Sequence, residues 1–208
     1  MAASDSAAPD FSFERAARKR GLAPVCGIDE AGRGPWAGPV VAAAVILDPD
    51  NIPDGIDDSK KLTAARREQL FAVIGRSAVI GIGIAGVSRI DRDNILAATL
   101  WAMGEAVRKL SIHPALALID GNRAPSLRCT AQTIVAGDRR SLSIAAASII
   151  AKVTRDRLMA ALDCEFPGYD FARHKGYGTE LHRHALARLG PSPQHRRSFA
   201  PIREIPAR

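Results

Sequence analysis

Four carboxylates stand where an apolar segment stops. Asp29 and Glu30 close the run beginning at Val25 and enter a glycine turn, Asp120 follows Ala115 to Ile119, and Asp138 follows Thr133 to Gly137. Strand ends in an α/β domain converge on one edge, so acids placed there can meet in space. Two like charges ~4 Å apart repel by roughly 4 kcal/mol at an effective dielectric near 20. A cluster of them therefore requires raised pKa values or bound cations. An all-oxygen donor set suits Mg²⁺ or Mn²⁺, with phosphate oxygens and water completing the shell. Two such ions about 3.5–4 Å apart form the clamp used for in-line phosphodiester hydrolysis, one activating water and the other stabilising the leaving 3′ oxygen. The same cluster offers nothing to acyl or hydride transfer. A single acid after a strand is more often a turn or cap residue, and Asp48, Asp50, Asp57 and Asp58 are read in that ordinary way. Adjacent strand residues face opposite sides of a sheet. Asp29 and Glu30 therefore share one site only if the strand twists or ends there.

The elements that would carry these acids alternate. Val25 to Asp29 and Pro39 to Leu47 read as strands around the tight turn Ala31 to Pro39, and Ala78 to Val87 as a third. The glycines of that third strand weaken it unless another backbone comes close. Thr63 to Ile74 has a helical pattern, and Arg92 to Leu110 predicts a long helix. Ala115 to Ile119 and Thr130 to Val135 are further strands. Leu142 to Phe166 predicts a second long helix, apolar all round in its first half and so buried there. A shorter helix spans Thr179 to Leu189. This order predicts an α/β domain in which an antiparallel meander joins parallel strands. Residues 1–20 are expected to be a flexible, weakly structured leader, and residues 21–208 one catalytic domain whose final stretch, from about residue 166, forms a C-terminal extension.

The chain has 29 Lys and Arg against 22 Asp and Glu, a net charge of +7. That balance favours a polyanionic partner and says nothing about fold. Arg15, Arg18, Lys19 and Arg20 are read as a solvated basic patch. In the arginine-rich stretch after Arg183, Arg196 and Arg197 are read as facing phosphate, with a solvated basic tail as the alternative. Cys26, Cys129 and Cys164 are odd in number and widely spaced, which supports neither a disulfide framework nor a structural zinc site. No apolar run is long enough to span a bilayer as a helix, and the start lacks a secretory pattern. The expectation is a cytoplasmic, membrane-free monomer. His113, His182 and His184 read as surface histidines, and Trp36 and Trp101 as packing residues.

Seven short segments in order carry a resemblance. They are Gly27-Ile28-Asp29-Glu30-Ala31-Gly32-Arg33-Gly34-Pro35, Asp58-Ser59-Lys60-Lys61-Leu62, Ile119-Asp120-Gly121-Asn122, Gly137-Asp138, Ala146 to Asp156, His174-Lys175-Gly176-Tyr177-Gly178-Thr179 and His195-Arg196-Arg197-Ser198-Phe199. Together they resemble the ribonuclease HII family. The resemblance implies a ribonuclease H-like fold, with a mixed five-stranded sheet flanked by helices and a C-terminal helical extension. It implies a metal-dependent endoribonuclease that cuts 5′ to ribonucleotides embedded in duplex DNA, and the RNA strand of RNA–DNA hybrids, leaving 3′-hydroxyl and 5′-phosphate ends. It makes Asp29, Glu30, Asp120 and Asp138 the ligands of Mg²⁺ or Mn²⁺. Gly32, Arg33 and Gly34 would approach the ribonucleotide and its phosphates, with a plain tight turn as the alternative. Tyr177 would pack on the sugar at the RNA–DNA junction around the 2′-OH, the group that separates an embedded ribonucleotide from DNA. Its alternative is a half-buried aromatic anchor. Lys60 or Lys61 would contact phosphate or the acid cluster, with a solvated loop as the alternative, Ser148 and Lys152 would contact phosphate, and Arg155 and Asp156 read as structural. Two rivals remain: a ribonuclease HIII, whose extra N-terminal domain 20 leader residues cannot hold, and a non-catalytic nucleic-acid binder.

Overall fold

The computed structural model describes residues 8–206. Its centre is a five-stranded sheet of β1 (Val25–Ala31), β2 (Val40–Leu47), β3 (Ala78–Ala85), β4 (Leu116–Asp120) and β5 (Thr130–Ile134), in the order β3-β2-β1-β4-β5. β1, β2 and β3 form the antiparallel meander, and β4 and β5 run parallel to β1. The C-terminal ends of β1 and β4 therefore lie side by side at one edge.

Helices cover both faces. α1 (Ser12–Lys19) and α2 (Ala64–Ser77) flank the sheet, and α3 (Val87–Asp93) and α4 (Ile95–Arg108) follow β3. α5 (Leu142–Glu165) leads to α6 (Phe171–His174), α7 (Glu180–Leu189) and α8 (Ala200–Arg203), which make the C-terminal extension. The single helix expected from Arg92 to Leu110 is two. Asn94 takes a left-handed φ of 68° between them, and its side chain caps α4 by accepting from the Leu96 and Ala97 amides. β1 also runs two residues beyond its expected end at Asp29.

The faces separate cleanly. Ile28, Ala42 and Ala44 pack with Ala98, Ala102 and Ala106 of α4. Ala43 and Val45 pack with Ala145 to Ala151 of α5. The glycines of β3 have the close neighbour they need, because a Cβ at Gly81 or Gly83 would collide with the Ala106 or Ala102 carbonyl oxygen of α4. α5 is buried without a break from Ser143 to Ala151, as its all-round apolar pattern demands.

The expected flexible leader is corrected over its described part. Residues 1–7 of it lie outside the described residues, but Ser12–Lys19 is a docked helix. Glu14 is fully buried, and its Oε1 accepts from the Ser141 hydroxyl at 2.6 Å and the Ser143 amide at 2.9 Å. A carboxylate against the first turn of a long helix is favourable there. Phe13 and Ala17 supply the apolar contact with β1 and β4.

Gly27 fixes how closely α5 lies on β1, since a Cβ there would fall on the Ser143 carbonyl carbon and the Ile144 nitrogen. Gly27→Ala is expected to lower stability by about 1–3 kcal/mol or more, read as the urea midpoint. Gly75→Ala, with open space around it, should leave the midpoint in place or raise it by up to about 1 kcal/mol. Equal midpoints for both variants would show that α5 can shift freely.

Candidate active site

Asp29 and Glu30 do face opposite sides. Asp29 pairs with Ala43, on the α5 face, and Glu30 with Ala42, on the α4 face. They nonetheless belong to one site, because they straddle the sheet at the edge where Asp120 ends β4. Asp29 is 4 % exposed. Its oxygens take the Glu30 amide at 2.7 Å and a hydrogen bond from Ser148. Asp120 is held by the Gly137 amide at 2.7 Å. Asp138 sits next in a single 3₁₀ turn, Gly137–Arg139, that follows β5 through Ala136 in the left-handed region. All four expected acids thus reach one edge from β1, β4 and the turn beyond β5.

Burial pushes the Asp29 carboxyl well above the ordinary carboxylate range, and the charges of Glu30 and Asp120 push it further. Burial also raises Glu30, with Arg33 opposing and Asp120 adding. Asp120 is raised by burial and then by Asp138, against the Gly137 amide. Lys60 supplies a cation, its Nζ 3.0 Å from Asp138 Oδ2. Burial alone would lower that ammonium, but Asp138, then Asp58 and Asp29, outweigh it and raise it.

Among the described residues, no three His, Cys, Asp or Glu side chains are already closed into a metal-holding group. The chemistry of the donors still fits a divalent cation. They are all oxygens, three are held above their ordinary pKa by burial and mutual repulsion, and an ammonium already leans on the fourth. A cleft of about 90 Å³ beside them is lined by Glu30, Arg33, Asp120 and Asn122. Hollows of 640 and 820 Å³ lie on other faces and hold none of the four acids. A polyanion lying across a surface does not need a deep pocket.

Of the other expected residues, Arg33 is half exposed and pairs with Glu30 at 3.3 Å. Ser148 is buried behind Asp29, and its Oγ is 2.8 Å from Ser59 Oγ. Lys152 pairs with Asp156 at 2.7 Å, one helical turn along. Tyr177 is 47 % exposed and leans over Gly34. Gly32 has φ 97° and lies against Arg155, which is buried and donates to the carbonyls of Pro39, Lys175 and Ala37.

Three expectations are corrected. Arg196 faces no phosphate: it is fully buried and donates to the Gly32, Arg33 and Gly38 carbonyls. Asp58 is more than an ordinary turn acid: its Oδ1 accepts from the Lys60 amide at 2.9 Å, as a turn acid does, but it is 1 % exposed and its Oδ2 also holds Arg139, the neighbour of Asp138, at 3.2 Å. His182 is no surface residue. It is buried, stacked on His174 with ring centroids 4.2 Å apart, and hydrogen-bonded to His195. The signal for these was present in the adjacency of each residue to a motif, but spacing does not tell a carbonyl-binding arginine from a phosphate-binding one.

A raised acid keeps a proton that the unfolded chain releases. Its stabilising contribution is full below the unfolded pKa and lost as pH climbs through the folded one. With chelator present, Asp29→Asn is therefore expected to be more stable than the parent at neutral pH, by roughly 0.5–2 kcal/mol. The gap should close below about pH 4 in thermal melts. A less stable variant at neutral pH would refute the desolvated acid.

The ribonuclease HII family model matches residues 26–202. The chain is 61% identical over 193 residues to the Ribonuclease HII of Azorhizobium caulinodans, covering 93% of this chain and 74% of that protein. It is 57% identical over 199 residues to the Ribonuclease HII of Nitrobacter hamburgensis, covering 96% and 74%. Among solved structures, ribonuclease H2 from Pyrococcus horikoshii OT3 superposes with TM-score 0.72 at 27% identity, covering 86% of this chain and 95% of that one. Bst-RNase HIII, solved in complex with Mn²⁺, shares the fold at TM-score 0.69 and 20% identity, over 97% and 75%.

Proposed function

The chain belongs to the ribonuclease HII family and is a ribonuclease H enzyme, and we propose that it hydrolyses the phosphodiester 5′ to ribonucleotides embedded in duplex DNA, and the RNA strand of RNA–DNA hybrids. The observation that carries this is the meeting of Asp29, Glu30, Asp120 and Asp138 at one sheet edge, desolvated and mutually repelling. Asp29, Glu30, Asp120 and Asp138 would hold divalent cations, Mg²⁺ or Mn²⁺, which when bound supply the Lewis acidity that phosphodiester hydrolysis needs. Water is the nucleophile, and the products are a 3′-hydroxyl and a 5′-phosphate.

The chain's own residues do the rest. Ser148 and the Glu30 amide fix the Asp29 carboxylate, and the Gly137 amide fixes Asp120. Such fixed orientation is what keeps a charged site productive. Lys60 balances the acids, and Arg33, at the rim, meets the phosphates beside the cut. Tyr177, exposed above Gly34, packs on the sugar at the junction, where the 2′-OH marks the ribonucleotide. The docked helix Ser12–Lys19 and the domain that follows it act as one catalytic unit, and the extension from about residue 166 reads the substrate. A pure phosphate binder gains nothing from four acids beside its ligand. No helix among the described residues is long and apolar enough to cross a membrane.

The test is a gel assay on a labelled DNA duplex with one ribonucleotide, beside an all-DNA duplex and an RNA–DNA hybrid, each with Mg²⁺, Mn²⁺ or chelator. Cation-dependent cutting just 5′ of the lone ribonucleotide is expected, with the all-DNA duplex intact. Asp120→Asn should lose about 10³-fold or more in rate while duplex binding persists. Undiminished cutting by that variant at saturating Mg²⁺ would overturn the assignment of the acids. Tight binding of all three duplexes without cutting would favour the non-catalytic reading.

A further inference from the structure

Behind Tyr177 lie three buried histidines that hydrolysis does not use. His182 is fully buried, His195 is 1 % exposed and His174 8 %. Their bonds settle where each proton sits. His182 Nδ1 is 3.0 Å from the Tyr177 carbonyl oxygen, which can only accept, so Nδ1 carries the hydrogen. The Ser192 amide donates to His195 Nδ1 at 2.9 Å, so the His195 hydrogen is on Nε2. The two Nε2 atoms are 2.9 Å apart. Both constraints give the same direction, His195 donating and His182 accepting. His174 stacks on His182, takes the Gly176 amide at 3.0 Å on Nδ1, and donates from Nε2 to the Tyr169 carbonyl at 2.6 Å. An added proton would break a bond at either end of the chain. Burial accordingly holds His182 down to about 4 and His195 down to about 3.

The far end of this chain is tied to the turn that Tyr177 leans over. His195 pairs with Ala37 in an antiparallel bridge. The next residue, Arg196, sends its guanidinium to the Gly32 carbonyl at 2.6 Å and the Arg33 carbonyl at 2.9 Å. Two adjacent residues thus reach both segments, His195 through His182 to Tyr177 and Arg196 to the Gly32–Gly34 turn, beside the direct bond from the Trp36 amide to the Gly176 carbonyl at 2.8 Å.

We propose that His182 and His195 are positioning residues for substrate selection: the hydrogen-bond chain Ser192–His195–His182–Tyr177 sets the distance between Tyr177 and the Gly32–Gly34 turn, and so the preference for a lone ribonucleotide over a continuous hybrid. The inference rests on the reading of Tyr177 as the junction sensor. A long hybrid offers many registers and tolerates a displaced Tyr177. A single ribonucleotide offers one register and does not.

The test compares kcat/KM on a duplex with one ribonucleotide and on a hybrid for the parent, His182→Leu, His182→Asn and Tyr177→Ala, with Mg²⁺ present. His182→Leu should lower the single-ribonucleotide to hybrid ratio about 10-fold. His182→Asn, whose amide nitrogen can keep the bond to the Tyr177 carbonyl but cannot reach His195, should restore only part of it. Equal loss on both substrates in His182→Leu, with Tyr177→Ala still shifting the ratio, would overturn the positioning role and spare the junction reading. An unshifted ratio in Tyr177→Ala would overturn the junction reading, and the proposal with it. Should His182→Leu fail to fold, ¹⁵N spectra of the histidine-labelled parent decide the matter. The proposal requires hydrogen on His182 Nδ1 and His195 Nε2, and the opposite tautomers would overturn it.

Discussion

Like charges must be held together before this fold can do anything with them. Asp29, Glu30 and Asp120 lose hydration and repel one another, so each is less easily ionised in the folded chain than in the unfolded one. That cost is met by the rigidity of the frame. Asp29 and Asp120 stand on β1 and β4, parallel central strands bonded from Val25↔Leu116 to Ile28↔Ile119. Asp138 stands on a turn locked to Asp120 through the Gly137 amide. α5 lies on β1 at Gly27 and brings Ser148 behind Asp29. Even the first described helix contributes, because Glu14 holds the start of α5 just beyond the Asp138 turn.

A second frame holds the turn that follows β1 and is built from different materials. There the backbone of the Gly32–Pro39 turn lacks regular partners, and buried polar groups must be bonded. Arg155 and Arg196 provide this by spending their guanidinium donors on carbonyls. Burial, chiefly, draws Arg196 down to about 9, the cost of keeping a guanidinium inside the protein. The neutral histidine chain holds the Tyr177 turn in the same way at no cost in charge. One frame therefore carries the acids, the other carries Tyr177 and the Gly32–Gly34 turn, and β1 running into the Gly32 turn joins them.

Much of this was legible in the sequence, and the reasons are physical. A buried central strand must be apolar, so an acid at its end stands out, as Asp29 and Asp120 do, whereas Asp138 lies in a turn beyond the largely exposed edge strand β5 and its position marks it less strongly. The alternating Ile and Gly of β3 called for a close backbone, which the structure supplies as α4. Glu30 was ambiguous because a two-residue period places it across the sheet from Asp29, and only the edge geometry reunites them. What spacing could not convey was the partner of a polar side chain. Arg196 and His182 sit in basic, motif-rich stretches that read as solvent- or phosphate-facing, yet their bonds go inward. The α1 segment was obscured by its arginines, although Phe11, Phe13 and Ala17 lie along it.

The central claim is that the clustered acids keep protons which a divalent cation displaces. Calorimetric titration of Mn²⁺ into the protein at mildly acidic pH, in two buffers of different ionisation enthalpy, tests it directly. Because carboxylate ligands must be deprotonated to bind, the account predicts buffer-dependent heats from proton release, with weaker binding and fewer protons released by Asp29→Asn. Identical heats in both buffers, together with unchanged affinity in Asp29→Asn, would contradict it.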